Sequence, residues 1–177
     1  MSPAAGDLAD RLGPLRSAFD RSFMDPPRPS GEAGDHLLAV GVGARRCAIR
    51  LAETAGLFAD RPVTALPGPL PGLLGVATFR GVVVPVYGLA SVLGDPPDPD
   101  PRWLVLAAGT PALALAFGRL DGHLRLPADA LVRYPPDADR PRCLNGMARL
   151  PDRTLGVLDL RAIRAEIHAL AGHPEGS

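Results

Sequence analysis

The chain has no lysine, few aromatic side chains, two cysteines and no long apolar run. Each shortage excludes a kind of chemistry. Without lysine there is no Schiff-base amine and no phosphate-loop lysine. With aromatics at 5% of 177 residues, the core must be filled by Val, Leu, Ala and Ile. Cys47 and Cys143 are too few for a disulfide scaffold, and no CxxC pair points to zinc or redox work. Their expected state is free thiols, with Cys47 buried among alternating apolar residues and Cys143 exposed after Arg140-Pro141-Arg142. No stretch of 18 apolar residues spans a membrane, and MSPAAGDLADR lacks the basic start and apolar stretch of a signal peptide. The expected location is therefore cytoplasmic. Nineteen basic and nineteen acidic residues cancel, which removes any general attraction to nucleic acid or anionic lipid.

What the chain has instead is 21 Pro and 20 Gly, which favour turns and short strands over long helices. Residues 1–24 are the most helical stretch, with Leu8, Leu12, Leu15 and Phe19 on one face and Gly13-Pro14 as a possible break. This N-terminal helical arm leads into a Pro/Gly-rich linker at 25–35, and a folded domain spans 36–172. Within it, His36–Val42 and Arg46–Leu51 read as a hairpin around Gly43-Ala44-Arg45. Ala52–Phe58 fits either a helical turn or a strand, Arg61–Leu66 a strand, and Pro67–Gly72 an irregular connector. Leu73–Gly94, LLGVATFRGVVVPVYGLASVLG, reads as a hairpin turning at Arg80-Gly81 and followed by a short helix. Pro85 ends its β-branched run and belongs at a strand end or sheet edge.

The Asp95–Pro101 spacer is expected to be a solvated linker. Trp103–Ala108 and Ala112–Phe117 follow as paired strands. The next strand, 119–126, carries an irregularity at Gly122 that fits a bulge. Tyr134–Arg142 is a polar loop, Gly146–Leu150 and Thr154–Leu158 a last hairpin, and Asp159 caps a C-terminal helix with Ile163, Ile167 and Leu170 on one face. About ten short strands at this spacing suit small barrels rather than a doubly wound sheet.

Catalytic candidates are sparse. His36, His123, His168 and His173 lie at no metal-ligand spacing, and Asp121 beside His123 is the only local acid and imidazole pairing. Asp95, Asp98 and Asp100 are separated by prolines and lack the terminal Glu of a calcium loop. GVGARR at Gly41–Arg46 lacks the Lys and hydroxyl of a phosphate loop. Arg45, Arg46, Arg140 and Arg142 fall in turns or loops. Arg80 is set apart by the apolar strands on both sides of it. It is either a passive turn residue or a guanidinium presented to a partner carboxylate.

The series LLAVGVGARRCAIRL (37–51), PVTALPGPLPGLLGVATFRGVVVPVYGLASVLG (62–94), ALALAFGRLDGHLRLP (112–127) and GMARLPDRTLGVLDLRAI (146–163) resembles the CheW-like domain of bacterial chemotaxis coupling proteins. FRGVVVPVYGL is its specific block. The resemblance implies a mainly β fold of two intertwined five-stranded SH3-like barrels around a shared hydrophobic centre, with a helix at the C-terminus. It implies a non-enzymatic adaptor, without cofactor or metal, that couples the cytoplasmic tip of a transmembrane chemoreceptor to the regulatory domain of a CheA-type histidine kinase, in association with membrane receptor arrays but without membrane insertion. Two alternatives stand beside it: a CheW-like regulator binding one partner only, and a small-molecule-binding barrel. The resemblance makes Arg80 the arginine of the family's LRG motif, near the receptor-binding surface. Phe79, Val82, Val84 and Val86 are the accompanying partner-binding residues, beside a hydrophobic groove between the barrels. Where the family usually carries acidic residues, this chain has Gly56, Gly88 and Gly118.

Overall fold

The computed structural model of the chain describes residues 34–68, 70–135 and 143–172. The expected arm at 1–24, most of the linker, residues 136–142 of the polar loop and the last five residues lie outside these. The described elements run β1 (Gly34–Val42), β2 (Arg45–Arg50), a 3-10 turn (Leu51–Glu53), β3 (Thr54–Ala59), β4 (Leu73–Phe79), β5 (Val82–Gly88) and α1 (Leu89–Val92). After α1 come β6 (Trp103–Ala107), β7 (Ala114–Phe117), β8 (Arg119–Pro127), a 3-10 turn (Ala128–Ala130), β9 (Leu131–Arg133), β10 (Leu144–Arg149), β11 (Thr154–Leu158) and α2 (Leu160–Ala171).

The strands form a six-stranded sheet, ordered β8-β1-β2-β11-β10-β9, and a five-stranded sheet, ordered β3-β6-β7-β5-β4. Both are mixed, since β11 pairs with β2 and β5 with β7 in parallel while the remaining ladders are antiparallel. The chain gives two strands to the first sheet, five to the second and then returns for four more.

Burial on both faces explains the continuous apolar runs. Leu38, Val40 and Val42 of β1 enter a shared core with Ile49, Val105, Leu115, Phe117 and Ile163. Leu37 and Ala39 enter a second core on the other face, with Ala48, Leu126, Leu155 and Val157. A third core, with Phe79, Val84, Val86, Leu104 and Ala114, lies on the other face of the five-stranded sheet. A strand covered on both sides needs apolar side chains at consecutive positions rather than at alternate ones.

The expectation of two five-stranded barrels is corrected by this topology. The sheets hold six and five strands, and neither is closed: no ladder joins edges β8 and β9, or edges β3 and β4, among the described residues. The outer edge of β4 is taken by the 60–72 connector, whose Thr64 exchanges two backbone hydrogen bonds with Val76, Thr64 N to Val76 O at 2.8 Å and Val76 N to Thr64 O at 2.9 Å. Gly75 permits that approach, with φ 150° and no Cβ to strike the Thr64 carbonyl. Side chains span the gap to β3 instead, with the Phe58 and Phe79 rings 4.8 Å apart. On the six-stranded side, the chain turns from β8 to the opposite edge through Pro127 and a 3-10 turn, and β9 is only three residues long.

Other differences have local causes. Thr64 is the one bridged residue of the strand expected at 61–66. Pro85 does not end its strand: β5 continues to Gly88, because Pro85 faces only Val76 of β4 and the ladder with β7 starts at Val86, so the missing N–H costs no bond on that side. The bulge falls at Asp121, skipped between Gly122, opposite Ala39, and Leu120, opposite Val40. Asp159 caps α2, its Oδ1 accepting from Arg161 N at 3.1 Å and Ala162 N at 3.0 Å. Ile163 and Ile167 of α2 are buried, whereas Leu170 is exposed.

Candidate functional site

The β4–β5 hairpin turns on two residues, Arg80 with φ 49° and Gly81 with φ 80°. Positive φ at both central positions is the type I′ geometry, whose twist matches the flanking strands and which Asn-Gly or Gly-Gly fills most easily. An arginine in the left-handed region costs about 1 kcal/mol relative to a residue suited to it. Arg80 is exposed and has no acceptor for its guanidinium among the described residues. Beside it stand the most exposed large apolar side chains, Val82 at 58% and Val83 at 63%.

The residues expected to meet a partner therefore divide. Arg80 and Val82 are on the surface, with Val83 beside them. Phe79, Val84 and Val86 are 3%, 2% and 0% exposed and pack in the outer core of the five-stranded sheet. These three anchor the hairpin from below.

The glycines at family acidic positions each have a distinct environment. A Cβ on Gly56 would lie 2.8 Å from the Phe58 ring, so that ring occupies the space over the glycine. Gly118 faces the Asp98 carboxylate, which accepts from Gly118 N at 3.1 Å and from Gly43 N at 2.9 Å. Gly88 precedes α1 and donates its N–H to Gly72 O at 2.8 Å, with only ordinary contacts around a Cβ.

The 95–101 spacer is thus not a free linker. Asp95 also pairs with Arg45, whose Nη2 donates to Oδ1 at 2.9 Å and whose Nε lies 2.7 Å from Oδ2. The two carboxylates strap the end of α1 to the first hairpin of the other sheet.

At the margin of the shared core lies a cleft of about 490 Å³, lined by Arg45, Arg46, Leu93, Tyr134, Met147 and Leu158 among others. None of Phe79, Val82, Val84 and Val86, expected beside a groove, lines it. Cys47 reaches its floor, and burial pushes that thiol's pKa up, away from a nucleophilic thiolate. Cys143 is buried rather than exposed, and its Sγ donates to Glu166 Oε2 at 3.2 Å. His36 Nδ1 and His123 Nε2 are 3.0 Å apart, a pairing created by the register of β1 on β8. Asp121 pairs with Arg119 at 2.6 Å rather than with His123. Among the described residues no three His, Cys, Asp or Glu side chains converge as metal ligands.

The feature that sequence reasoning missed is Arg61. Its guanidinium lies 5.1 Å from the Phe58 ring centre and 5.3 Å from that of Phe79. Only the fold brings residues 58, 61 and 79 together.

An exposed apolar tip carrying an unpaired cation, built on a rigid sheet with its thiols buried, has the properties of a protein-binding module. The comparisons with known proteins then place the chain. The CheW-like domain model matches residues 36–167, and the chain belongs to that family. It is 32% identical over 142 residues to a probable chemotaxis protein CheW of Rhizobium etli, covering 76% of this chain and 90% of that one. Its fold is similar to that of the scaffolding protein TtCheW from Thermoanaerobacter tengcongensis, with a TM-score of 0.63 at 13% identity, covering 72% of this chain and 90% of the other. The family role is that of a non-catalytic adaptor in chemotaxis-like signalling, and CheW-family proteins generally bridge receptors and CheA kinases. No helix among the described residues is long and apolar enough to cross a membrane.

Proposed function

We propose that this chain couples the cytoplasmic tip of a transmembrane chemoreceptor to the regulatory domain of a CheA-type histidine kinase, acting in the cytoplasm at receptor arrays. The observation that carries this reading is the β4–β5 tip, where a conformationally costly arginine without an acceptor stands beside Val82 and Val83, both more than half exposed. Strain of this kind persists where the surrounding structure enforces it and concentrates at functional positions. The tip gives a partner apolar area plus a cation for a carboxylate. Phe79, Val84 and Val86 fix its position.

The test is to mix the chain with the kinase regulatory domain and receptor tip from the same cell and follow sedimentation velocity. A ternary complex supports coupling. Binary complexes with one partner alone would replace it with a one-sided regulator, and no complex with either would end the proposal. Arg80→Glu should weaken receptor-tip binding at least tenfold with an unchanged melting midpoint.

A further inference from the structure

Resting on the hairpin tip as a partner surface, we propose that Arg61 belongs to that surface. Arg61 and Arg80 together grip a carboxylate-bearing segment of the receptor tip, while an apolar side chain of the same segment packs on Val82, which stands opposite Phe79 on the same face of the hairpin.

Three arginines of the domain have found carboxylates: Arg45 pairs with Asp95, Arg119 with Asp121 and Arg102 with Asp60. The last pair takes the carboxylate nearest to Arg61 in the chain. Asp60, its immediate neighbour, gives Oδ1 to Arg102 Nε and Oδ2 to Arg102 Nη2, both at 2.9 Å. Both carboxylate oxygens are thereby taken up by Arg102. Arg61 is exposed, and no acceptor engages its N–H groups among the described residues.

The two rings then determine what kind of cation Arg61 is. The ring quadrupoles attract the guanidinium, and contact with both rings restricts side-chain rotation before a partner arrives. A pre-positioned guanidinium loses less entropy on binding, so more of the ion-pair energy appears as affinity. One of those rings is Phe79, the residue before Arg80. Arg61 lies over the ring of Phe79, Arg80 follows Phe79 in the chain, and Val82 stands opposite it, so two arginines without acceptors among the described residues are tied to one buried aromatic residue at the base of the exposed tip. Their shared complement is a segment with closely spaced Asp or Glu beside an apolar anchor.

The stack depends on a vacancy at residue 56. A Cβ there would come within 2.8 Å of Phe58 Cε2 and 2.9 Å of Cζ, so a larger residue at position 56 would make the ring shift from its place under Arg61.

Affinities for the same-cell kinase regulatory domain and receptor tip should be measured separately, at low and high salt, for the parent chain and five variants, Arg80→Glu among them. Arg61→Glu should weaken receptor-tip binding at least tenfold, as Arg80→Glu does, and the loss should shrink at high salt; a loss confined to the kinase domain would overturn the inference. Arg61→Met, which keeps the apolar stem over the rings, should still lose several-fold. Gly56→Ala should weaken the same partner by displacing the ring, without removing charge. Arg61→Glu with Arg80→Glu should cost less than the two single losses combined, because both cations address one acidic segment. The inference is overturned if Arg61→Glu binds both partners within twofold of the parent while Arg80→Glu does not, or if the affinity losses merely follow losses in melting midpoint. If the parent itself binds neither partner, the adaptor reading fails first and this inference with it.

Discussion

At the spacer after α1, Asp95 and Asp98 reach back to Arg45, Gly43 and Gly118, so a polar, proline-rich stretch is fastened to the neighbouring sheet. At the Arg80-Gly81 turn, an equally polar break between apolar strands carries a cation with no acceptor and exposes two valines. The first region uses its charges to satisfy backbone N–H groups within the domain. The second leaves its charge available to another molecule. Whether a charge is satisfied internally separates a structural clasp from a docking surface, although the two stretches look alike as sequence.

Three perturbations sharpen that contrast, beginning with the largest. Asp98→Ala removes one carboxylate from two backbone donors and should lower unfolding free energy by about 2 kcal/mol, since a hydrogen bond to a charged group contributes about 1.5 to 3 kcal/mol and this site is partly solvated. Urea denaturation checks it, and partner affinity below the midpoint should be unchanged. Loss of binding without loss of stability would make the clasp a contact surface.

Arg80→Asn should act in the opposite sense. Asparagine tolerates the left-handed conformation, so stability should rise by about 1 kcal/mol while partner binding falls at least tenfold. If stability rises and affinity is retained, the turn is a passive one.

The smallest effect is expected at Glu53, whose Oε2 accepts from Leu160 N at the start of α2. Burial is the largest influence on this carboxyl and lifts its pKa, against the opposing effects of that hydrogen bond and of Arg50. A native pKa above the unfolded one means that the stability it contributes is present in full below the unfolded value and is lost as pH rises through the native value. Glu53→Gln, always neutral and still able to accept from Leu160, should melt slightly above the parent at neutral pH, with the difference vanishing near about pH 4. A difference of opposite sign would show that the charged cap outweighs burial.

Much of the scaffold was legible from local pattern. The apolar runs of β1, β4, β6 and β7, the two-residue turn at Arg80-Gly81 and the Asp159 cap are set by neighbours in sequence, and the structure has them. The features left unread depend on residues distant in the chain. The Asp98 clasp joins positions separated by 55 and 20 residues, and the His36–His123 pair by 87. The parallel ladders of β2 with β11 and β5 with β7 leave no periodic trace that would distinguish open mixed sheets from barrels. Arg61 read only as the first residue of a strand, because nothing local shows that Arg102 engages Asp60 or that Phe58 folds over Gly56.

The parallel pairing of β2 with β11 sets an order on synthesis. Cys47 stands opposite Gly156, so the first hairpin leaves the ribosome roughly a hundred residues before the strand that completes its ladder. Until then, Ala48 and Ile49 lack the neighbour that pairs with them, and a strand edge stays open to other chains. Closing so long a loop is slow. A nascent chain stalled before β10 would have both sheets started and the six-stranded one unfinished.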